Sequence, residues 1–374
     1  MSPNTTASKL VRPRYDGASL PNLIATLEER VVGRSPHPVL ERALAGQIPD
    51  GQTYVLVVMD GLGASQLEHP SADTLLAHRV DTIDAPFPTT TTVSLASIAT
   101  AQPPSKHGLI GYTMHLPDHD VVVNTIRWTT LWGQATNIPT DDFLPAPNTW
   151  ERLRAGGAEA ITVQPAHFAG SSLSRLLYRG CRFEPAHTEH ELVDATVQLA
   201  AEPGRLIVVY VPHVDFAAHV HGQHHPKYLA ALRTVSAIWS NLVERLPATA
   251  VLVGTADHGH VDFPTDRQFR IAKDDHKDRI FYGDGRALMV KGDGAELAGR
   301  IPATWVPLAE MIDLWGPAPR HPTFVDRAPD GVLFADDGWL LLHRHADDRM
   351  IGNHGGLTPE EMNIPLLVRK TPQR

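Results

Sequence analysis

Four short, almost uninterrupted apolar runs constrain this chain more than any other feature: Tyr54–Met59, Ala160–Gln164, Leu206–Val211 and Ala250–Gly254. A strand with one wet face alternates apolar and polar residues. Runs without alternation are buried on both faces and belong to a mostly parallel sheet covered by helices. Helical patterns lie between the runs. The clearest spans Tyr228 to Leu246, where Leu229, Leu232, Val235, Ile238, Trp239, Leu242 and Leu246 recur at helical spacing, with Pro226 near the start. The alternation predicts an α/β fold, with a mostly parallel central sheet and helices on both faces. Residues 1–49 read as an N-terminal extension packing on the core, and 50–374 as one α/β domain. Two stretches rich in Trp, Pro and Asp, about 111–148 and 262–345, break the alternation and read as insertions over one sheet edge.

Composition narrows the function classes. Lys and Arg number 33 against 42 Asp and Glu, a net charge of −9 with no basic block, which argues against gripping polymeric nucleic acid or an anionic membrane. The single cysteine, Cys181, excludes an intrachain disulfide and a thiolate zinc site. The first 30 residues lack the basic and apolar regions of a signal peptide, and no window reaches the ~18 apolar residues of a membrane span. A soluble, cytoplasmic protein is expected; its oligomeric state is not legible.

In open α/β sheets, ligands bind beyond the carboxyl ends of the strands. Polar residues cluster there. Asp60-Gly-Leu-Gly follows the first run, His213-Val-Asp215-Phe-Ala-Ala-His219 the third, and Thr255-Ala-Asp257-His258-Gly-His260 the fourth. A further segment, Gly352-Asn-His354-Gly-Gly, precedes the apolar Ile364–Val368. Each motif alone is ordinary: a lone histidine is usually a surface or satisfied core residue, and Asp257-His258 could be a turn or helix cap. Their conjunction at one sheet edge points to a metal site built from distant segments. Asp and His without Cys suit zinc first, with manganese or iron as harder alternatives. Asp60, Asp215, His219, Asp257, His258 and His354 suffice for two ions with three ligands each, and paired metals about 3.5–4 Å apart form a clamp for displacement at phosphorus.

Thr89-Thr90-Thr91-Thr92-Val-Ser94 opens an apolar helical stretch. It reads equally as an over-supplied helix cap or as the source of a nucleophile at a helix end that favours anions.

These residues together resemble the alkaline phosphatase superfamily, most closely its nucleotide pyrophosphatase/phosphodiesterase branch. The resemblance covers about residues 53–374, through V-x-M-D-G-L-G, the T-x-x-S-x-x-S-I-A-T segment ending at His107-Gly108, D-x-x-x-H, T-A-D-H-G and G-N-H-G-G-L-T-P-E-E-M. It implies two divalent metals, usually zinc, and a covalent phospho-threonine or phospho-serine intermediate. It implies one metal held by Asp215, His219 and His354, and the other by Asp60, Asp257 and His258 with the nucleophile. Counting back from His107-Gly108, the nucleophile falls on Thr91, with Thr90 and Thr92 one slip away. Ser94 stands three residues on, where the diesterases are expected to carry an Asn that holds a phosphoryl oxygen, and Tyr112 where monoesterases have an Asn. Both are candidate substrate contacts. The resemblance implies hydrolysis of phosphodiester or phosphoanhydride bonds in a small phosphorylated substrate such as a nucleotide. A phosphomonoesterase or phosphonate hydrolase of the same superfamily is the alternative. The sulfatase branch is set aside, because Cys181 lies in Gly-Cys-Arg-Phe-Glu-Pro, far from the position that branch modifies.

Two other readings are weaker. Gly61-Leu-Gly63-Ala-Ser-Gln66, with Asp81 about 20 residues on, starts like a dinucleotide fingerprint, but Gln66 replaces the third glycine and Asp60 would repel a pyrophosphate. A non-catalytic zinc-binding protein would account for His219, His221, His224 and His225, but not for the carboxylates at the other strand ends. His221, His224 and His225 read as surface residues, and His260 and Asp262 as supports behind ligands. Trp128, Trp132, Trp305 and Phe281 read as core of the insertions before a base-stacking pocket. Lys106, Arg127 and Arg286 are the cations that could reach the substrate from loops.

Overall fold

The computed structural model describes residues 10–140, 143–344 and 346–369. The four apolar runs are neighbours in one seven-stranded sheet. Its order is Arg79–Asp84, Asn363–Val368, Ala250–Thr255, Thr53–Met59, Arg205–Val211, Glu159–Pro165 and Arg182–Ala186. Thr53–Met59 pairs in parallel with both neighbours, and the parallel ladder continues to Arg182–Ala186. Asn363–Val368 runs against both of its neighbours. Every residue of Thr53–Met59 is buried, as a strand covered on both faces must be. The helices Leu20–Val32, Thr91–Thr100 and Thr149–Ala155 pack on one another, and Pro226–Arg245 packs on Glu189–Leu199, Asp73–Leu76 and His213–His221. These groups form the two covering layers. The helix read over Tyr228–Leu246 is observed as Pro226–Arg245.

Register sets the position of the chemistry. Thr53 pairs with both Arg205 and Ala250, so three adjacent parallel strands begin level and finish together at one edge. Asp60, Asp215 and Asp257 leave the sheet there. Gly61 makes the turn, with φ +71; a Cβ on it would lie 2.9 Å from Asp215 Cα, so only glycine lets the two segments approach this closely.

The two interrupting stretches, distant in sequence, share one structure. Thr113–Leu116, Val121–Asn124 and Thr129–Thr130 come from the first, and Ile280–Asp284, Ala287–Lys291, Ala303–Pro307 and Gly331–Ala335 from the second; they form a second seven-stranded sheet. Gly283 opposite Thr113 joins the halves. From this sheet the buried Arg286 reaches to 3.5 Å from Glu361 of the core. Glu361 accepts from Gly356 N (2.8 Å) and Thr358 Oγ1 (2.9 Å), which braces the loop bearing His354 from behind. The N-terminal segment packs on the core through the buried helix Leu20–Val32 and an Arg14–Asp84 ion pair of 2.8 Å. No helix of the described residues is long and apolar enough to cross a membrane.

Candidate metal centre

Asp60 and Asp257 follow adjacent strands, and each anchors one carboxylate oxygen while leaving the other bare. Asp257 Oδ1 accepts from the backbone N–H of Gly61 and of His258, both at 3.0 Å. Asp60 Oδ2 accepts from the Tyr210 hydroxyl. Asp257 Oδ2 and Asp60 Oδ1 are buried with no hydrogen-bond partner. Orphaned buried carboxylate oxygens are costly unless a cation meets them. Potential ligand atoms of Asp60, Asp257 and His258 lie within 4.8 Å of one another.

The second group is more open. Asp215 and His219 sit one turn apart on the helix His213–His221, and His354 follows the short strand Gly352–Asn353, which pairs with Val261–Asp262. His219 presents Nδ1 to Gly352 O (2.6 Å) and His354 presents Nδ1 to Thr89 O (2.7 Å). A carbonyl only accepts, so both Nδ1 atoms carry the proton and both Nε2 atoms are bare in the neutral rings. In the neutral rings those Nε2 atoms face each other at 3.2 Å. His219 Nε2 is 3.3 Å from Asp215 Oδ1, and His354 Nε2 is 3.9 Å from it. His260 supports this group, with Nε2 2.7 Å from the same Asp215 oxygen. Potential ligand atoms of Asp215, His258, His260 and His354 also lie within 4.8 Å of one another, so His258 stands between the two groups.

Electrostatics agree with the geometry. Burial, then the charges of Asp215 and Asp257, push the Asp60 carboxyl well above its usual range. Burial opposes ionisation of Asp215 too, but His219 and His260 outweigh it and hold that carboxyl well below its usual range. Burial, then His258, His260 and His219, keep His354 well below its ordinary value. His260 is pushed down to about 4 by burial. The carboxylates of Asp60, Asp215 and Asp257 with the neighbouring imidazoles form a donor set that fits divalent cations, and their N and O character suits zinc, manganese or iron.

Of the four consecutive threonines, Thr91 meets this cluster, its Oγ1 3.1 Å from His258 Nε2. Thr89 bonds Gly356 O and Gly355 N, Thr90 bonds Asp284, and Thr92 lies 3.4 Å from Gly111 O. Thr91 opens the helix Thr91–Thr100, whose first turn has no side-chain cap, so its N–H groups remain free to face an anion. His107 lies beneath, with Nδ1 accepting from Leu109 N (3.2 Å) and Nε2 directed at Ser97 Oγ (3.0 Å). The His-Gly pair thereby fixes the threonine helix from below.

Other expected site residues take different places. Ser94 is fully buried and donates to Asp257 O at 2.7 Å, so its hydroxyl props the Asp257 loop. Tyr112 is half-buried beside the threonine helix, its backbone N–H 3.4 Å from Asp284 Oδ2. Asp262 accepts from Gln223 N (2.8 Å) and supports a loop without touching a ligand. Arg286 is locked against Glu361 and the Phe263 ring, and Lys106 is tied to Pro319 O, so neither swings into the site. His221 and His225 stack on each other outside the cluster. The aromatics do not share a pocket: Trp128 packs edge-on to Phe143, Phe281 and Trp305 belong to a core of the second sheet, and Trp132 is exposed.

Sequence reading missed Tyr210, Asp284 and Gln66. Tyr210 carried a signal, a hydroxyl inside an apolar strand. Gln66 carried none; it donates to His260 O at 3.4 Å and to Gln223 at 3.1 Å. Asp284 comes from the second sheet, where nothing in the sequence links it to Thr90.

Residues 54–357 match the family model of type I phosphodiesterase / nucleotide pyrophosphatase. Curated proteins give no match. Among solved structures the fold resembles murine ectonucleotide pyrophosphatase / phosphodiesterase 5, with a TM-score of 0.64 and 19% identity over 84% of this chain and 87% of that one. It equally resembles phosphonoacetate hydrolase from Sinorhizobium meliloti 1021, with a TM-score of 0.64 and 18% identity over 87% and 92%. The chain belongs to the type I phosphodiesterase / nucleotide pyrophosphatase family of the alkaline phosphatase superfamily, and is a hydrolase of phosphoric ester or anhydride bonds.

Proposed function

We propose that this protein cleaves phosphodiester or phosphoanhydride bonds of a small substrate at a two-metal centre, with Thr91 as nucleophile. The observation that carries the reading is the placement of Thr91 Oγ1 3.1 Å from His258 Nε2, beside the unpartnered oxygens of Asp60 and Asp257. Asp215, His219 and His354 would hold one ion, and Asp60, Asp257 and His258 the other. Bound there, two divalent cations would lower the threonine pKa and neutralise charge on the phosphoryl group. Thr91 Oγ1 attacks phosphorus as the bond to the leaving oxygen breaks, and the leaving group departs with its electron pair. Free N–H groups of the first helical turn orient the phosphoryl oxygens. Water then cleaves the phospho-threonine, which restores the hydroxyl and releases the phosphorylated product.

A diester is preferred over a monoester on this reading. A monoester dianion needs a further cation beside the metals; of the three candidates, Lys106 and Arg286 are committed elsewhere, and Arg127 stands near the Tyr112 phenol. The murine neighbour has been solved as an inactive form with a threonine-to-alanine change, in complex with AMP, which supports a nucleotide as the substrate class. A cytoplasmic setting belongs to the same proposal and suits a chain whose one cysteine, Cys181, is free. The test is kcat/KM for bis-p-nitrophenyl phosphate against p-nitrophenyl phosphate on zinc- and manganese-loaded protein. Faster diester cleavage is expected; a clear preference for the monoester would make the protein a phosphatase.

A further inference from the structure

Thr89 stands two residues before Thr91 and bridges to the loop that carries His354. Its carbonyl accepts the Nδ1 proton of His354 at 2.7 Å. Its hydroxyl donates to Gly356 O and accepts from Gly355 N, both at 3.0 Å. One residue therefore meets three consecutive residues of the loop. The hydroxyl has a single proton and gives it to a carbonyl, so toward the Gly355 N–H it can only accept. Thr89 is fully buried, and there each of these backbone groups would be costly if left unpaired.

The loop needs such a hold, because close neighbours confine it to residues without side chains. Gly355 has φ +115, and a Cβ on it would lie 2.4 Å from Asp284 Cβ. A Cβ on Gly356 would lie 2.5 Å from Glu361 Oε2. Glycine backbone at such places is fixed by its hydrogen bonds. Glu361 bonds Gly356 and Thr358, whereas Thr89 bonds His354 itself. With Nδ1 held by Thr89, the free nitrogen of His354 is Nε2, which lies 3.2 Å from His219 Nε2 and 3.9 Å from Asp215 Oδ1.

We infer that Thr89 is a positioning residue of the candidate metal site: its hydroxyl sets the loop on which His354 is carried, and so sets His354 Nε2 against Asp215 and His219. This rests on the two-metal reading of the proposed function. The partner behind a metal-bound imidazole fixes the orientation of the ring, and its loss costs roughly ten- to hundredfold in metal affinity. The simpler alternative is that the hydroxyl only stabilises the fold.

The test is zinc affinity, titrated against a chromophoric chelator on full-length wild type, Thr89→Val, Thr89→Ser and Thr92→Val. Valine keeps the shape and the backbone carbonyl but removes the hydroxyl, and serine keeps the hydroxyl. Thr92 is an equally buried hydroxyl on the same segment, bonded to Thr125 Oγ1 at 2.9 Å. In Thr89→Val one of the two bound ions should be held roughly ten- to hundredfold more weakly, while Thr89→Ser and Thr92→Val stay within about twofold of wild type. Unchanged affinity in Thr89→Val, equal weakening of both ions, a serine variant no better than valine, or an equal loss in Thr92→Val would each overturn the inference. If the valine variant does not fold, Thr89→Ala, which sets no methyl against the two backbone groups, takes its place in every comparison. Wild type that binds two zinc ions but cleaves no ester refutes the proposed function, while the zinc comparison still decides the role of Thr89. Wild type that binds fewer than two ions overturns both.

Discussion

Thr91 differs from Thr90 and Thr92 only in what its hydroxyl touches, and that difference can be measured. Thr91→Ala should retain its metal and lose several orders of magnitude in kcat, because neither neighbouring threonine hydroxyl is bonded to the cluster. Acid-quenched wild-type enzyme should carry phosphate on the peptide containing Thr91; phosphate on a neighbouring threonine would shift the assignment. Asp60→Asn, Asp257→Asn and His354→Ala should each lose both metal and turnover, as elemental analysis and kinetics would show. Ser94→Ala should be milder. It removes one buried bond to the Asp257 carbonyl, about 1 kcal/mol of stability, and should leave the diester KM unchanged. A large rise in KM would restore Ser94 as a substrate contact.

At the scale of elements, the helix Thr91–Thr100 depends on a neutral histidine. Burial, then Arg327, pushes His107 down to about 3. Leu109 N donates to Nδ1, and protonation there would turn an acceptor into a donor facing a donor. The unfolded chain takes up this proton near pH 6.5, the folded chain only near 3. Between those values the unfolded state holds more protons, so this contribution is complete above about pH 6.5 and is lost as pH falls. His107→Gln removes the titrating group. Its urea-unfolding free energy should be lower than wild type at pH 8, and the gap should narrow by pH 5, since only wild type suffers the histidine penalty. A gap that stays constant would show that His107 does not titrate across folding.

For the whole molecule, the Asp and His cluster is also a structural joint. Asp60, Asp215 and Asp257 leave three adjacent strands, and His354 arrives from the last quarter of the chain, held by a loop braced on the second sheet through Arg286 and Glu361. Ions that bind only the folded state stabilise it by mass action. Chelation with EDTA should therefore abolish turnover and lower Tm by several degrees, with about two ions per chain recovered by elemental analysis. An unchanged Tm would mean that the carboxylates are settled without metal. Arg286→Leu leaves the Glu361 charge buried without its cation. It should cost about 3 kcal/mol and reduce turnover, although Arg286 touches no ligand, as thermal unfolding and kinetics together would show.

The sequence by itself determined the α/β class, four strands of the central sheet, the long helix beside it and the Asp and His motifs at the strand ends. Each depends on local pattern: apolar runs record burial on both faces, and a polar residue directly after a buried strand is forced to the sheet edge. It did not show that Asn363–Val368 runs antiparallel, because burial is the same in either direction. It did not reveal the polar edge strand Arg79–Asp84, which lacks an apolar run. Counting residues left Thr90, Thr91 and Thr92 one slip apart, since spacing carries no direction, whereas a helix start turns consecutive hydroxyls to different neighbours. Ser94 looked like a substrate contact and is a buried prop for the same reason. The joining of two distant stretches into one sheet, and the delivery of Asp284 and Arg286 around the core site, were decided by tertiary pairing alone. Those contacts link residues far apart in the chain, and no periodicity along a sequence encodes a partner on another strand.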